Sequence, residues 1–484
     1  MSWLNVLFPR WGRLRPAPER TVVIREPMSF RANVMKNRLW YRGEPAELEQ
    51  FFRQTAIAET DRARFWAAAP QSRVRKLHSG LVGTVVDRYR DIVLRDFDGF
   101  CFGQTEESHA LQERWETVAA ACRFEALLGE AVTGALVTGD GAFKLYMRPG
   151  DTAPRAAFYE ADRVEYEGDP RCPEEIRFYT PYRQADREYR LEECYGRGYV
   201  RYRLTDEEGR DIPLSRLDET CMLQNAAFDR SIMLAVPFMI LGGGKWPGRG
   251  KALFDGKTDS LDALDEVLSQ WIDAVRMGRV KRYIPEDLVP RDPETGRVME
   301  PNPFDNAYIA VGSSCAEGTP EKIEVSQPEI AVEAYHTSWA AFLDMALQGV
   351  MSPTTLGIDL KKTDNAEAQR EKEQITLHVR GRIVDALSEA LPRLAEVMLQ
   401  AEDLMAGRRA GTYRLSARFG EYANPDFGSA VESVAKARSA GIMSVEQAVE
   451  ELYGDAWSPE DKAAEARRIR GEQDAARKNT RRKT

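Results

Sequence analysis

The chain has 484 residues, of which 43% are hydrophobic and 30% charged, and its formal net charge is -9. This balance is typical of an ordinary folded protein and argues against disorder. It also argues against a protein that coats nucleic acid, because such proteins carry an excess of Lys and Arg. The length predicts roughly three domains at about 150 residues each.

Targeting and redox signals are weak. No run approaches the ~18 to 20 apolar residues of a membrane span. The first 15 residues mix apolar side chains with arginines. This pattern predicts a terminal segment that packs on the body or on a neighbouring subunit, with a membrane anchor as the alternative. The six cysteines are widely spaced without a C-x-x-C pair, which indicates free thiols rather than a zinc or redox site.

The first half of the chain changes from helical to β-rich. Phe30 to Glu130 has a helical pattern, and Gly134 to Tyr146 predicts two short strands that turn at Gly139-Asp140-Gly141. A β-rich region then extends to about Leu223. Its predicted strands are Val164 to Tyr166, Glu175 to Tyr179, Tyr189 to Cys194 and Gly198 to Leu204, with a hairpin loop at Asp206 to Gly209.

A glycine cluster at residues 242–250 suggests a phosphate-binding loop, and its spacing tests that idea. A Walker A loop ending at Gly250-Lys251 needs glycine in place of Lys245 and Ser or Thr in place of Ala252. Both requirements fail, and no G-x-G-x-x-G fits. We therefore interpret the segment as a flexible connector to the helix that follows.

Thr258 to Met277 is predicted to form a helix. Its apolar residues recur at three- and four-residue spacings along one face, and its acidic residues fill much of the remaining surface. The apolar set is Leu261, Leu264, Leu268, Trp271, Ile272 and Val275, and the acidic set is Asp259, Asp262, Asp265, Glu266 and Asp273.

A second helix follows a proline-rich insertion. Between Arg279 and Val325, six prolines separate β-like runs at Val280 to Ile284, Tyr308 to Val311 and Lys322 to Val325. The helix is predicted to begin at a capping box formed by Ser326 and Glu329 and to stop at Ser352-Pro353. Its apolar side carries Val332, Tyr335, Trp339, Phe342, Leu343, Ala346, Leu347 and Val350. The two helices would hold a small β-rich module between them.

A polar loop with Lys361 and Lys362 leads to a third, long helix. A capping box at Asp364 and Glu367 predicts its start, Gly407 its end, and Pro392 a bend. Taken alone, the two lysines indicate a solvated hinge. Beyond Gly407 the pattern predicts a strand at Thr412 to Phe419 and then two or three shorter helices, from Asp426 to Ala440, Ser444 to Tyr453, and Pro459 onward. The basic tail is either a solvated terminus or a nucleic-acid-contacting arm.

Catalysis has no local signature in this sequence. The four histidines are too far apart for a local metal motif and are interpreted as packed or surface residues. H-E-x-x-H, G-x-S-x-G and a persuasive carboxylate pair are all missing from the sequence. We therefore predict a non-enzymatic protein with no catalytic residue, no metal and no cofactor.

Several stretches resemble the portal proteins of long-tailed bacteriophages, in the SPP1-like family. The likeness covers about Asn37 to Ile469 and includes the order helix, insertion, helix, loop, long helix. It is carried by Asn37 to Gly43, Leu48 to Phe52, Gly139 to Phe143, Gly248 to Gly250 with Leu264 to Glu266, Phe419 to Tyr422, and Gly441 to Glu446.

The resemblance implies an α+β portal fold. Its expected parts are an N-terminal segment and wing at residues 1–256, stem helices at 257–278 and 328–350, a clip at 279–327, a tunnel loop at 351–363, a long wing helix at 364–406, and a crown with the basic tail at 407–484. The implied site residues are Thr354, Thr355, Leu356, Lys361 and Lys362 in the tunnel loop, Leu264, Trp271, Tyr335, Trp339 and Phe342 in stem packing, and Tyr283, Phe304 and Tyr308 in the clip.

By the same resemblance, the function is that of a head-to-tail connector, a ring of twelve copies at one capsid vertex through which double-stranded DNA is packaged and ejected. Its partners would be that DNA without sequence preference, the terminase large subunit, a head-tail adaptor, and the major capsid and scaffolding proteins. No membrane is involved, and the location is the virion, with the host cytoplasm during assembly. The alternatives are a packaging nuclease or ATPase subunit, disfavoured by the failed Walker spacing, and a membrane pore, disfavoured by low hydropathy.

Overall fold

The computed structural model describes residues 28–55, 65–69, 75–102, 106–148, 150–278, 281–285, 289, 291–297, 308–311, 324–358, 366–420, 427–453 and 461–471. Eleven α-helices lie within these ranges. They are α1 Phe30–Arg42, α2 Pro45–Thr55, α3 Leu81–Asp96, α4 Glu106–Cys122, α5 Phe124–Thr138, α6 Thr258–Met277, α7 Val332–Leu347, α8 Ala366–Met405, α9 Phe427–Ser439, α10 Val445–Tyr453 and α11 461–471.

The strands of the same described ranges form four sheets. They are β1 Phe97–Cys101, β2 Asp140–Tyr146, β3 Arg155–Glu160, β4 Val164–Asp169, β5 Cys172–Gln184, β6 Arg187–Gly196, β7 Tyr199–Asp206, β8 Asp211–Ile212, β9 Ala226–Ala227, β10 Ala235–Met239, β11 Lys281–Pro285, β12 Tyr308–Val311, β13 Glu324–Ser326 and β14 Ser416–Phe419. Helix and sheet are thus mixed in the chain, as the predicted α+β class requires.

The chain divides into two compact units, where its length had predicted roughly three. The first unit contains the described residues up to Asp87 together with Glu130–Tyr146 and Ala156–Ile375. The second contains Arg88–Gly129, Met147–Arg155 and the described residues from Thr376 onward. Each unit is made of segments that are far apart in the sequence. The length of the chain alone therefore does not predict where one unit ends and the other begins.

The first unit contains a six-stranded antiparallel sheet. This sheet has the order β4-β5-β6-β7-β8, with β9 also paired to β7, and the predicted strands and the Asp206 hairpin loop are confirmed within it. Alternate residues of β6 and β7 point into one apolar cluster with Leu217. The buried members of that cluster are Tyr189, Leu191, Leu204 and Leu217.

One strand prediction in the first unit is wrong. Residues up to Thr138 belong to α5, and only β2, from Asp140, is a strand. Gly139 ends the helix with a φ of 105°, a conformation that favours glycine. The apolar run before it is short, and periodicity alone cannot distinguish a buried helix from a buried strand over such a length.

The second unit contains a strand pair of which the sequence predicts only one member, β14, which lies within the predicted strand Thr412 to Phe419. β1, predicted to be helical, pairs antiparallel with β14, so that Phe97 lies opposite Phe419. The Phe97 ring also packs on the Phe419 ring, with 5.4 Å between centroids. Phe100 extends the aromatic cluster to Trp115 at 4.9 Å. The contacts between Phe97 and Phe419 join residues more than 300 positions apart, which explains why local patterning does not predict β1.

Candidate functional site

The two helices that flank the insertion form an antiparallel pair, which we call the helix pair. Helix α6 has the predicted bounds, Thr258–Met277. Helix α7 begins at Val332, without a side-chain cap, and ends at Leu347. The predicted capping box is therefore wrong, because Ser326 belongs to strand β13, where it lies opposite Lys281. Because Ser326 is paired in the sheet, it does not cap a helix, and α7 begins only at Val332.

Contacts at both ends and along the middle hold the helix pair together. The rings of Trp271 and Tyr335 stack with 6.2 Å between centroids and 9° between planes. At one end Lys257 Nζ donates to the carbonyl oxygen of Met345 at 2.8 Å, which suits a cation near the carboxyl end of a helix. At the other end Gly278 lies so close to Ile330 that an added Cβ would be 2.6 Å from Ile330 Cγ1.

The residues predicted for stem packing differ in burial. Leu264 is buried, with 1% of its surface exposed, while Trp271, Tyr335, Trp339 and Phe342 are half-buried in a single chain. Trp339 packs beside His336 of its own helix, with 6.2 Å between ring centroids. The single chain therefore buries one face of the first turns of α6, including Leu261 and Leu264, and leaves the aromatic middle of the helix pair partly open.

We expect Trp271→Ala to lower the free energy of unfolding by about 1–2 kcal/mol, because it removes a half-buried aromatic stack and the apolar contact beneath it. Urea unfolding at fixed protein concentration measures the change. The matched control is Val275→Ala on the same helix, where the side chain is 40% exposed and the expected loss is under about 0.5 kcal/mol. Equal effects of the two substitutions would contradict the importance of the stack.

The sequence had predicted that the acidic residues of α6 lie on the surface, and for two of them this prediction is wrong. Asp262 and Asp265 are only 6% and 5% exposed. Asp262 accepts hydrogen bonds from the backbone N–H groups of Trp66 and Ala67 at 2.7 and 2.8 Å. The spacing of Asp262, Asp265 and Ser269 along one face was the only sequence signal for this role. Asp262 thereby satisfies the first N–H groups of the 3-10 turn Trp66–Ala68, which would otherwise lack partners.

The insertion between the helices is β-rich, as predicted. β11 is the central strand, parallel to β12 and antiparallel to β13. We call these three strands the β module. Tyr283 lies on β11, half-buried, opposite Ile309 of β12 and Glu324 of β13, and Tyr308 lies opposite Arg282. Phe304, the third residue predicted for the clip, lies outside the described residues.

The predicted tunnel loop begins with a short 3-10 turn, Pro353–Leu356, which ends at Gly357 with a φ of 73°. The hydroxyls of Ser352 and Thr354 are 2.7 Å apart, and Thr354, Thr355 and Leu356 are half-buried. Lys361 and Lys362 lie outside the described residues, as does the Asp364 capping position. The long helix is confirmed as α8, with 40 residues and Pro392 in its interior.

The glycine-rich connector is fixed in place, contrary to the flexible connector that the sequence suggested. Asp140, fully buried, accepts from the Gly250 N–H at 2.7 Å and pairs with the Arg249 guanidinium at 2.8 Å. Arg249 also donates to the carbonyl oxygens of Val164 and Ala161 and lies over the Phe30 ring. Burial raises the pKa of the Asp140 carboxyl, against the opposing effect of Arg249. No local pattern in the sequence predicts this pair, because its members are 109 positions apart.

A second carboxylate fixes the same connector just before α6. Asp255 Oδ1 accepts from the amide of Asn37 at 2.9 Å and from that of Asn33 at 3.3 Å. Asp255 Oδ2 accepts from the Ala252 N–H at 3.0 Å. The start of the helix pair is therefore tied to α1 and, through Asp140, to β2.

Within the described ranges, no group of three or more His, Cys, Asp or Glu side chains is placed to hold a metal ion. None of the described helices is both long and apolar enough to cross a bilayer. His78, one of the four histidines, is packed between Asp265 and the Trp40 ring.

Similar chains occur in solved structures of gene transfer agent particles. One comes from the virion of the native particle, at 14% identity and a TM-score of 0.41, covering 85% of this chain and 90% of that one. Another comes from the neck of the native particle with C12 symmetry, at 14% identity and a TM-score of 0.38, with coverage of 88% and 94%. A third, from the neck of the empty particle with C6 symmetry, has 14% identity, a TM-score of 0.38 and coverage of 87% and 93%. No family model and no curated protein matches the chain.

Proposed function

We propose that this chain is the subunit of a phage-type portal, a ring at one capsid vertex that conducts double-stranded DNA during packaging and ejection. The observation that carries the proposal is the helix pair, which holds the β module at one end and leads at the other through a 3-10 turn into the 40-residue helix α8. That order is the one implied by the resemblance to portal proteins. In this proposal α6 and α7 are the stem and the β module is the clip.

Exposed apolar side chains on these elements support assembly into a ring. Val275 and Met277 on α6, Val325 on β13, and Val332 and Met345 on α7 are between 40% and 63% exposed in the single chain. Apolar surface of this kind gains free energy when a neighbouring subunit covers it. In a closed ring, one face of each subunit contacts a different face of the next.

The charge of the chain supports a channel along which DNA slides. Exposed acidic residues lie on both helices of the pair and just before α7, among them Asp259, Glu329, Glu333 and Asp344. Together with the net charge of -9, they disfavour tight binding to phosphates. Lys361 and Lys362, repeated around a ring, would provide weak contacts to the DNA backbone without sequence preference.

The same proposal assigns the chain no catalytic residue, metal or cofactor. A terminase would supply ATP hydrolysis at the β module during packaging, and a head-tail adaptor would replace it there. Contacts with the major capsid and scaffolding proteins would place the ring in the virion. ATP turnover by purified rings would contradict this assignment.

Electron microscopy of the purified protein in negative stain tests the proposal, and we expect closed rings with a central channel. Introducing charge at two exposed positions, Val332→Glu with Met345→Glu, should reduce ring yield at least tenfold, since each factor of ten needs only about 1.4 kcal/mol and an unpaired carboxylate in an interface costs more.

The matched control for ring assembly is Met222→Glu, at a side chain that is 72% exposed and belongs to the segment between β8 and β9 rather than to the helix pair. It should leave the ring yield unchanged, and circular dichroism should report folded protein for all variants. A monomeric wild-type protein, or full ring yield from the double variant, would overturn the proposed assembly.

A further inference from the structure

The segment between β10 and α6 carries positive charge that the described part of the chain does not fully neutralise. Its cations are Lys245, Arg249, Lys251 and Lys257, and its one acid is Asp255. Arg249 is paired with the buried Asp140, and the Asp255 carboxylate accepts from two amides of α1 and from a backbone N–H. Within the described ranges, no carboxylate lies at salt-bridge distance from Lys251 or Lys257. We call these two residues the lysine pair.

Backbone hydrogen bonds hold the lysine pair together. Two turns, at 252–255 and 254–257, fold the chain between its members, each closed by a hydrogen bond from the last residue to the carbonyl oxygen of the first. The N–H of Lys251 donates to the Leu241 carbonyl oxygen at 2.7 Å, so its backbone is fixed while its side chain is exposed. Burial lowers the pKa of the Lys257 ammonium, and the charge of Lys251 lowers it further. The fold thus keeps two like charges close at an electrostatic cost.

The contact with α7 shows where the lysine pair lies. Lys257 Nζ donates to the carbonyl oxygen of Met345 at 2.8 Å, in the last turn of α7. After α7 the chain passes through the 3-10 turn Pro353–Leu356 to the polar loop that contains Lys361 and Lys362. The lysine pair therefore lies at the end of the helix pair from which that loop departs.

We propose that Lys251 and Lys257 bind phosphates of the double-stranded DNA backbone, as a basic contact additional to the polar loop. The inference rests on the proposed function, since it takes the DNA of the channel as its ligand. Such contacts position DNA without reading its sequence.

Two features of the lysine pair favour a phosphate ligand. An ammonium group without a carboxylate partner can displace a counterion from DNA, and release of counterions is the main source of affinity for the DNA backbone. The exposed Asp344 precedes Met345 on α7, yet Lys257 bonds to the Met345 carbonyl oxygen and not to that carboxylate. The chain thus leaves both ammonium groups available to a ligand that brings its own negative charge.

Fluorescence anisotropy with a labelled DNA duplex of about 30 base pairs tests the inference on the full-length protein, at salt concentrations between about 50 and 200 mM. The double variant Lys251→Gln with Lys257→Gln should reduce the slope of log affinity against log salt by about 1.8, since each lost phosphate contact removes about 0.9. The loss of affinity across this salt range should then be about twelvefold smaller than in the wild type. An unchanged slope, or a wild type that does not bind the duplex, would overturn the inference.

Two further variants keep the result interpretable. Lys251→Gln alone changes an exposed side chain, leaves the Met345 contact intact, and should reduce the slope by about 0.9. The matched control is Arg183→Gln with Arg187→Gln, which removes two positive charges from exposed positions on β5 and β6 and should leave the slope unchanged. An equal reduction in the control would show that net charge alone is responsible and would refute the lysine pair as a site. Circular dichroism reports whether each variant is folded.

Negative-stain images of the same samples separate this inference from the proposed function. Closed rings whose DNA binding ignores the two substitutions would refute the lysine pair and leave the portal proposal standing. A monomeric wild type whose DNA binding still depends on the lysine pair would support the contact and overturn the ring. A loss of rings in Lys251→Gln with an unchanged salt slope would assign the lysine pair to contacts between copies and overturn the inference.

Discussion

Replacing Asp140 by alanine should lower the free energy of unfolding by about 3–5 kcal/mol, because it leaves the Arg249 guanidinium without its carboxylate in a buried site. Arg249 is only 13% exposed, and Asp140 is fully buried. The substitution also removes the acceptor of the Gly250 N–H, a backbone group that water does not reach. Urea unfolding, followed by circular dichroism and compared with wild type, measures the loss.

The matched control for Asp140→Ala is Asp211→Ala, which removes an ion pair of similar length on the surface. Asp211 lies 2.6 Å from Arg203, but the two side chains are 70% and 54% exposed. Solvent screening limits such a pair to under about 1 kcal/mol. A loss of equal size in the two variants would mean that burial of the Asp140 pair has no particular consequence.

Gly250→Ala should be comparably severe, with an expected loss of about 3 kcal/mol or more, since the neighbouring atoms belong to backbone and cannot move aside as a side chain can. An added Cβ would lie 2.0 Å from the carbonyl oxygen of Gly139 and 2.6 Å from its carbon. The close approach of Gly139 and Gly250 lets Asp140 reach the connector. The thermal midpoint and the urea midpoint should both fall.

Gly242→Ala provides the control within the same connector. No atom lies within 4 Å of a Cβ added at Gly242, so the unfolding free energy should change by no more than about 0.5 kcal/mol. If Gly242→Ala destabilised the protein as much as Gly250→Ala, the effect would reflect the loss of glycine flexibility rather than the contact with Gly139.

Together these variants test how firmly the helix pair is anchored. The connector that leads into α6 is held by Asp140 and Asp255, and the first turns of α6 are held by the backbone hydrogen bonds that Asp262 accepts. All of these contacts lie before Trp271, beyond which α6 carries its exposed apolar residues, Val275 and Met277. A firmly held base with an open apolar middle suits a subunit whose outer surface is completed by neighbouring copies.

The sequence alone determined the elements whose signal is local. Helix α6 has its predicted bounds because apolar residues recur every three or four positions over 20 residues. The strands of the β module fall within two residues of their predicted starts, since prolines and β-branched runs mark them. The long helix α8 likewise has a sustained pattern. Repetition within a segment is what a sequence shows directly.

The tertiary structure alone decided the contacts that tie these elements down. Asp140 was visible only as a turn residue, yet it meets Gly250, 110 positions later. Asp262 and Asp265 were assigned to the surface by their charge, but backbone donors nearly 200 positions earlier bury them. Strand β1 exists because β14 pairs with it. Charge and periodicity indicate the local preference of a residue or segment for surface, helix or strand. Burial and strand pairing depend instead on partners that only the folded chain brings together.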